Sequence, residues 1–204
     1  MKKTISLTLC LMLSVFALSG CADSSEAFEE KSYTSDTQIK EINLDVKDRA
    51  IEVSLSRDEQ VHIQYSESSK EYYDISVSGN VLTMTSADSK EWTDYIGFKP
   101  AAENRKISLQ VPDALLKNLT LSTTNEDVTL PDLAVTGDIS ISSSEGNIAF
   151  GTLDVGNALT LRAKNGDISG TVAGGYDDFS IRSSIKKGDS NLPEQKDGGE
   201  KTLD

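Results

Sequence analysis

Leu119, Ile139, Leu159 and Phe179 stand twenty residues apart, and this fixed interval restricts the chain more than any other feature. Two residues on, Leu121, Ile141, Leu161 and Ile181 form a second apolar column, with Thr120, Ser140, Thr160 and Ser180 between the two. Apolar, hydroxyl, apolar is the alternation of a strand with one face buried. Further along each unit come Val128 with Leu130, Ile148 with Phe150, and Ile168, then Leu133 with Val135 and Leu153 with Val155. Each unit therefore holds about three short strands. Between the first two strands lie Asn125-Glu126-Asp127, Glu145-Gly146-Asn147 and Asn165-Gly166-Asp167, residue types that accept the backbone of a sharp corner.

A unit of this length cannot enclose a core alone, whereas stacked units place like residues over like at the strand spacing of about 4.8 Å. The pattern predicts an all-β chain: a right-handed parallel β-helix with coils of about twenty residues in the C-terminal half. An antiparallel sandwich is the rival, since Asn-Gly corners also suit hairpins, but it gives no reason for a constant interval. Residues 39 to 116 alternate too, as in Ile42-Leu44-Val46 and Ile107-Leu109-Val111, without even spacing. They are expected to form irregular β coils or a cap. The fourth unit slips by two residues before Gly188-Asp189, and residues 194 to 204 read as a polar tail or the start of an incomplete coil, with Leu203 where a strand would begin.

The N-terminus carries an address. Lys2 and Lys3 precede an apolar stretch from Ile5 to Leu18, 14 residues, short of the roughly 20 that span a bilayer. It ends in Leu18-Ser19-Gly20-Cys21, which resembles the bacterial lipobox. That resemblance implies a signal peptide over residues 1–20, removed at Gly20, and a diacylglycerol thioether with palmitate-type acyl chains on Cys21. Residues 21–38 are polar and acidic and read as a flexible tether. The expected product is a lipid-anchored protein on the extracytoplasmic side of the cell membrane. Cys10 leaves with the signal, so no disulfide forms within the remainder. Removing residues 1–20 takes away two lysines and no acid, which deepens the net charge from −13 to −15. A field of that sign repels nucleic acid, so no nucleic-acid partner is expected.

The units Leu121-Ser-Thr-Thr-Asn-Glu-Asp-Val128, Ile141-Ser-Ser-Ser-Glu-Gly-Asn-Ile148 and Leu161-Arg-Ala-Lys-Asn-Gly-Asp-Ile168 resemble the Ser-Thr-Gly-Asp-apolar repeats of the bacterial "putative adhesin" domains. Trp92-Thr-Asp-Tyr-Ile-Gly-Phe98 and Ile107-Ser-Leu-Gln-Val-Pro112 resemble the segment before those repeats. The resemblance covers about residues 39–193 and implies a β-helical envelope domain of unknown function, with no catalytic residues. This chain departs from it in Glu126, where glycine is usual, and in the irregular fourth coil.

Two candidate sites stand out. Asp127, Asn147 and Asp167 form a corner column of oxygen ligands, suited either to calcium or to a structural ladder that satisfies corner backbone groups; the second is favoured, because an EF-hand loop or a nine-residue calcium period is absent. Trp92, Tyr95 and Phe98 gather within seven residues of a chain that is only 6% aromatic, and such a cluster either docks a sugar or protein partner or caps the core. Acidic residues are plentiful, yet spacing singles out no pair for polysaccharide hydrolysis. His62, between Val61 and Ile63, alternates outward. The expectation is a monomeric, non-enzymatic envelope lipoprotein without a cofactor, which offers a β-helical surface to an envelope protein or glycan. A sensor or accessory in envelope-stress regulation is the alternative, and a polysaccharide-active enzyme the third reading.

Overall fold

A computed structural model describes residues 27–89 and 100–204, which hold seventeen strands and no α-helix. Before the repeats come β1 (Glu29–Thr34), β2 (Glu41–Asp45), β3 (Ala50–Leu55), β4 (His62–Glu67), β5 (Glu71–Ser78), β6 (Val81–Asp88) and β7 (Lys106–Val111). The repeats supply β8 (Asn118–Thr123), β9 (Val128–Leu130), β10 (Leu133–Val135), β11 (Ile139–Ser143), β12 (Ile148–Val155), β13 (Ala158–Ala163) and β14 (Ile168–Val172). The chain closes with β15 (Phe179–Arg182), β16 (Gln195–Lys196) and β17 (Lys201–Leu203). They form two sheets, and the chain passes repeatedly from one to the other.

The interval of twenty is the register of pairing. In the second sheet β11 lies parallel between β8 and β13, with Ile139 beside both Leu119 and Leu159. In the first, Ile148 of β12 pairs with Val128 of β9 and Ile168 of β14, again in parallel. A sandwich of hairpins would make these pairs antiparallel, so that rival is excluded. Leu119, Leu121, Ile141, Ile148 and Leu159 have no measurable exposure, and each such side chain contributes roughly 1.5–3 kcal/mol by leaving water. Inward hydroxyls serve the corners: Thr123 Oγ1 donates to the Arg49 carbonyl at 2.7 Å and Ser143 Oγ to the Glu126 carbonyl at 3.1 Å.

The N-terminal half joins the same stack, out of sequence order. β2 pairs in parallel with β8, Ile42 beside Leu119, and on its other side with β6, Ile42 beside Leu82. β3 likewise lies between β9 and β7. The β2–β3 layer is therefore enclosed by two layers that follow it in the chain. The antiparallel strands β4, β5 and β1 close that end.

Two expectations are corrected. The tether anticipated to residue 38 is cut short by β1, which pairs antiparallel with β4 along its whole length. β1 is a polar edge strand, held by backbone hydrogen bonds while most of its side chains face water. At the other end, Phe179 does not follow Leu159. β17 lies between β13 and β15, so Leu203 pairs with Leu159 and Ile181 with Leu203. Residues 201–203 are thus an internal strand, not a tail, and Leu203 is buried.

Candidate functional site

At the corners, each layer's Asx side chain accepts from the backbone of the next. Asp127 Oδ1 accepts the Asn147 N–H at 2.7 Å, and Asn147 Oδ1 accepts the Asp167 N–H at 2.9 Å. Asn118 and Asp138 repeat the device toward Asp138 and Ala158, both at 3.1 Å. The structure therefore brings Asp127, Asn147 and Asp167 together as a hydrogen-bonded ladder that satisfies corner amides. Among the described residues no three His, Cys, Asp or Glu side chains gather closely enough for a metal ion.

Glu126 explains itself in this setting. A Cβ on Gly146 would stand 1.9 Å from the Glu126 carbonyl oxygen, and one on Gly166 2.1 Å from that of Gly146. Those two glycines sit directly above the backbone of another corner of the same shape. Glu126 lies over the corner between β2 and β3, whose Asp48 takes a left-handed φ of 54°, and its side chain ion-pairs with Arg105.

The outer face of the second sheet is of a different character. Its register sets Ser76, Thr83, Asn43, Thr120, Ser140 and Thr160 in one row across six neighbouring strands, β5 to β13. Two residues along the strands a second row runs Asp74, Thr85, Asp45, Ser122, Ser142, Arg162. All six residues of the first row are exposed or half-buried, and none of their side chains makes a hydrogen bond within the described chain. The corners use their polar side chains internally, whereas this face leaves its hydroxyls and its amide open to a partner. The sequence shows the part from Thr120 to Thr160, because those residues share the interval of twenty. Asn43, Thr83 and Ser76 join only through pairing across distant segments.

A buried polar cluster also went unread in the sequence. Arg49, 3% exposed, sits at the corner between β2 and β3. Its Nε donates to the Tyr73 hydroxyl at 2.6 Å, one terminal nitrogen to the Asp48 carbonyl at 3.0 Å, and the other ion-pairs with Glu71. Burial opposes the Arg49 charge, but the facing Tyr73 and Glu71 outweigh it and hold the guanidinium's pKa above its ordinary value. Burial likewise pushes the Tyr73 phenol upward. The Tyr65 ring meets Tyr73 edge-on at 5.4 Å. This cluster fastens β5 to the β2–β3 corner; its polar groups are spent on one another.

His62 is half-buried, its Nε2 2.9 Å from Asp58 and its Nδ1 3.0 Å from the Thr34 hydroxyl. The hydrogen bond to His62 lowers the Asp58 pKa below its ordinary value. The group ties the polar edge strand β1 to β4. Leu18, Ser19, Gly20 and Cys21, and the aromatic group Trp92, Tyr95 and Phe98, lie outside the described residues. Among the described residues no helix is long and apolar enough to cross a membrane.

A family model described as Toastrack DUF4097 matches residues 39–171. No curated protein matches the chain. Among solved structures, the chain is similar to one described as a "putative cell adhesion protein" from Clostridium sporogenes, at 10% identity over 71% of this chain and 100% of that one, with a TM-score of 0.40. It is similar to a "putative adhesin" from Parabacteroides distasonis, at 16% identity over 72% of this chain and 73% of that one, TM-score 0.35. A "putative lipid binding protein" from the same organism shares 14% identity over 74% of this chain and 69% of that one, TM-score 0.37.

Proposed function

The chain belongs to the Toastrack DUF4097 family, and on that footing we propose that it is a non-enzymatic envelope lipoprotein whose stacked strands present a binding surface for a protein or glycan. The parallel layers are read as coils of a right-handed β-helix spanning residues 39–193, with β1 added at one end and β17 inserted between β13 and β15. Residues 1–20 are the signal and Cys21 carries the lipid. Seven residues stand between Cys21 and Glu29, and those eight steps reach at most about 29 Å when extended, so the domain stays close to the membrane. The corner ladder is structural rather than a calcium site.

The observation that carries this reading is the outer face of the second sheet, whose first-row side chains make no hydrogen bond among the described residues. Small-molecule sites are concave; this surface is a sheet face, suited to an extended or flat partner. Immobilised mature protein is expected to retain envelope material, and Ser140→Lys to reduce that retention at least about tenfold with little loss of stability, since exposed substitutions usually cost under about 0.5 kcal/mol. Thr129→Lys, on the first sheet, serves as the control. Equal retention by both variants would remove the face from consideration. Cys21→Ser is expected to shift the protein from the membrane fraction to the soluble one and abolish palmitate incorporation; a variant that stays membrane-bound would refute the anchor.

A further inference from the structure

The same face is specific enough to indicate the chemistry of its partner. We propose that it binds an uncharged, extended polysaccharide lying across the strands, an inference that rests on the outer face of the second sheet being the binding surface.

Three observations point this way. The first row repeats one polar side chain per strand, from Ser76 on β5 through Asn43 to Thr160 on β13. Its step is the strand spacing of about 4.8 Å, and the second row lies about 7 Å away. A surface that repeats along one axis is matched by a ligand that repeats, so a polymer fits better than a single small molecule. The row also carries no charge within a chain whose net charge is −13. Hydroxyls both donate and accept and thus pair with sugar hydroxyls, whereas an anionic polymer meets repulsion from the rest of the molecule.

The third observation separates glycan from protein. Protein partners are held by buried aromatic or aliphatic anchors, and neither row contains one. Of the large apolar side chains that are exposed among the described residues, Tyr72 alone belongs to this face. It precedes Asp74 by two residues on β5, at the edge of the sheet. There its ring stands one row beyond the second, four residues along β5 from Ser76 and so about 13 Å from the end of the first row, and offers a stacking surface to a sugar on a chain that also crosses the second row. With one stacking group and many single hydrogen bonds, affinity must accumulate along the polymer.

Chito-oligosaccharides, neutral and extended, serve as the probe, measured by calorimetry against the mature protein. The hexamer is expected to bind at least about tenfold more tightly than the dimer, as engagement of linked sites requires. Thr120→Val combined with Ser140→Ala should lose at least about tenfold of hexamer affinity and keep the wild-type melting temperature; Tyr72→Ala should weaken binding without removing the length dependence. Polygalacturonate, an anionic polymer, should not bind. The proposal is overturned if the hexamer does not bind, if its affinity equals the dimer's, if polygalacturonate binds as well, or if the Thr120/Ser140 variant binds unchanged. Absence of hexamer binding while Ser140→Lys still abolishes retention of envelope material would overturn the glycan and leave the face standing. Failure of both would overturn the two together.

Discussion

Replacing Arg49 with alanine is expected to destabilise the protein by about 3–5 kcal/mol, the range found when one partner of a buried ion pair is removed. The guanidinium is 3% exposed and donates to Tyr73, to Glu71 and to the Asp48 carbonyl. Alanine strips one charged donor from three acceptors at once. Arg49→Lys should recover only part of the loss, because an ammonium cannot reproduce the planar fork that reaches Tyr73 and Glu71 together. Glu71→Gln with Arg49→Met tests whether the cost is electrostatic. That pair removes both charges and is expected to be milder than Arg49→Ala alone, since it leaves no buried charge without its partner. Urea unfolding of the three variants gives the comparison, and an Arg49→Ala loss below about 1 kcal/mol would mean that the cluster is incidental to the fold.

Arg49 also marks the boundary of what a sequence discloses. The apolar columns through Leu119, Ile139 and Leu159 were legible because register and interval are the same number there. Leu203 was not placed, although its strand was anticipated, because Phe179 and Leu203 are equally suited to the position beside Leu159 and a column of residue types cannot choose between them. The N-terminal strands kept their alternation but hid their partners. β2 pairs with segments 40 and 77 residues away, Ile42 with Leu82 and with Leu119, and no periodicity survives when layers stack out of chain order. β1 escaped notice for another reason: an edge strand needs only backbone groups, and Glu29 to Thr34 carries no apolar stripe to betray it. Arg49, Glu71 and Tyr73 give no signal in the sequence, because burial of a charge leaves no mark on spacing. The open row was half visible in Thr120, Ser140 and Thr160. Its significance emerged from the contrast with the corners, where polar side chains of similar size are consumed by backbone amides.

Gly146→Ala carries the second large effect, and its mechanism is steric. A Cβ at that position would lie 1.9 Å from the Glu126 carbonyl oxygen and 2.2 Å from its carbon. The obstacle is backbone, so no rotamer change relieves it, and the two layers must separate at the corner. Three interactions meet there: Ser143 Oγ donates to the same Glu126 carbonyl, accepts the Gly146 N–H at 2.9 Å, and the neighbouring Asn147 amide is held by Asp127. Overpacking costs about 1–3 kcal/mol and more where the surroundings cannot yield, and here it also strains those hydrogen bonds. Gly79→Ala is a control of the opposite kind, with nothing within 4 Å of its added Cβ and a left-handed φ of +61°. Its cost is backbone strain alone, about 1 kcal/mol or a little more. Gly146→Ala should therefore melt lower than Gly79→Ala, with hydrogen exchange accelerated at Asn147 and Val128, whose amides bridge the separated layers. At Glu126 the argument reverses. Glu126→Gly removes the ion pair with Arg105, so it should lower stability rather than restore a missing glycine. If Gly146→Ala melts no lower than Gly79→Ala, close stacking of the corners is not what holds the layers in register.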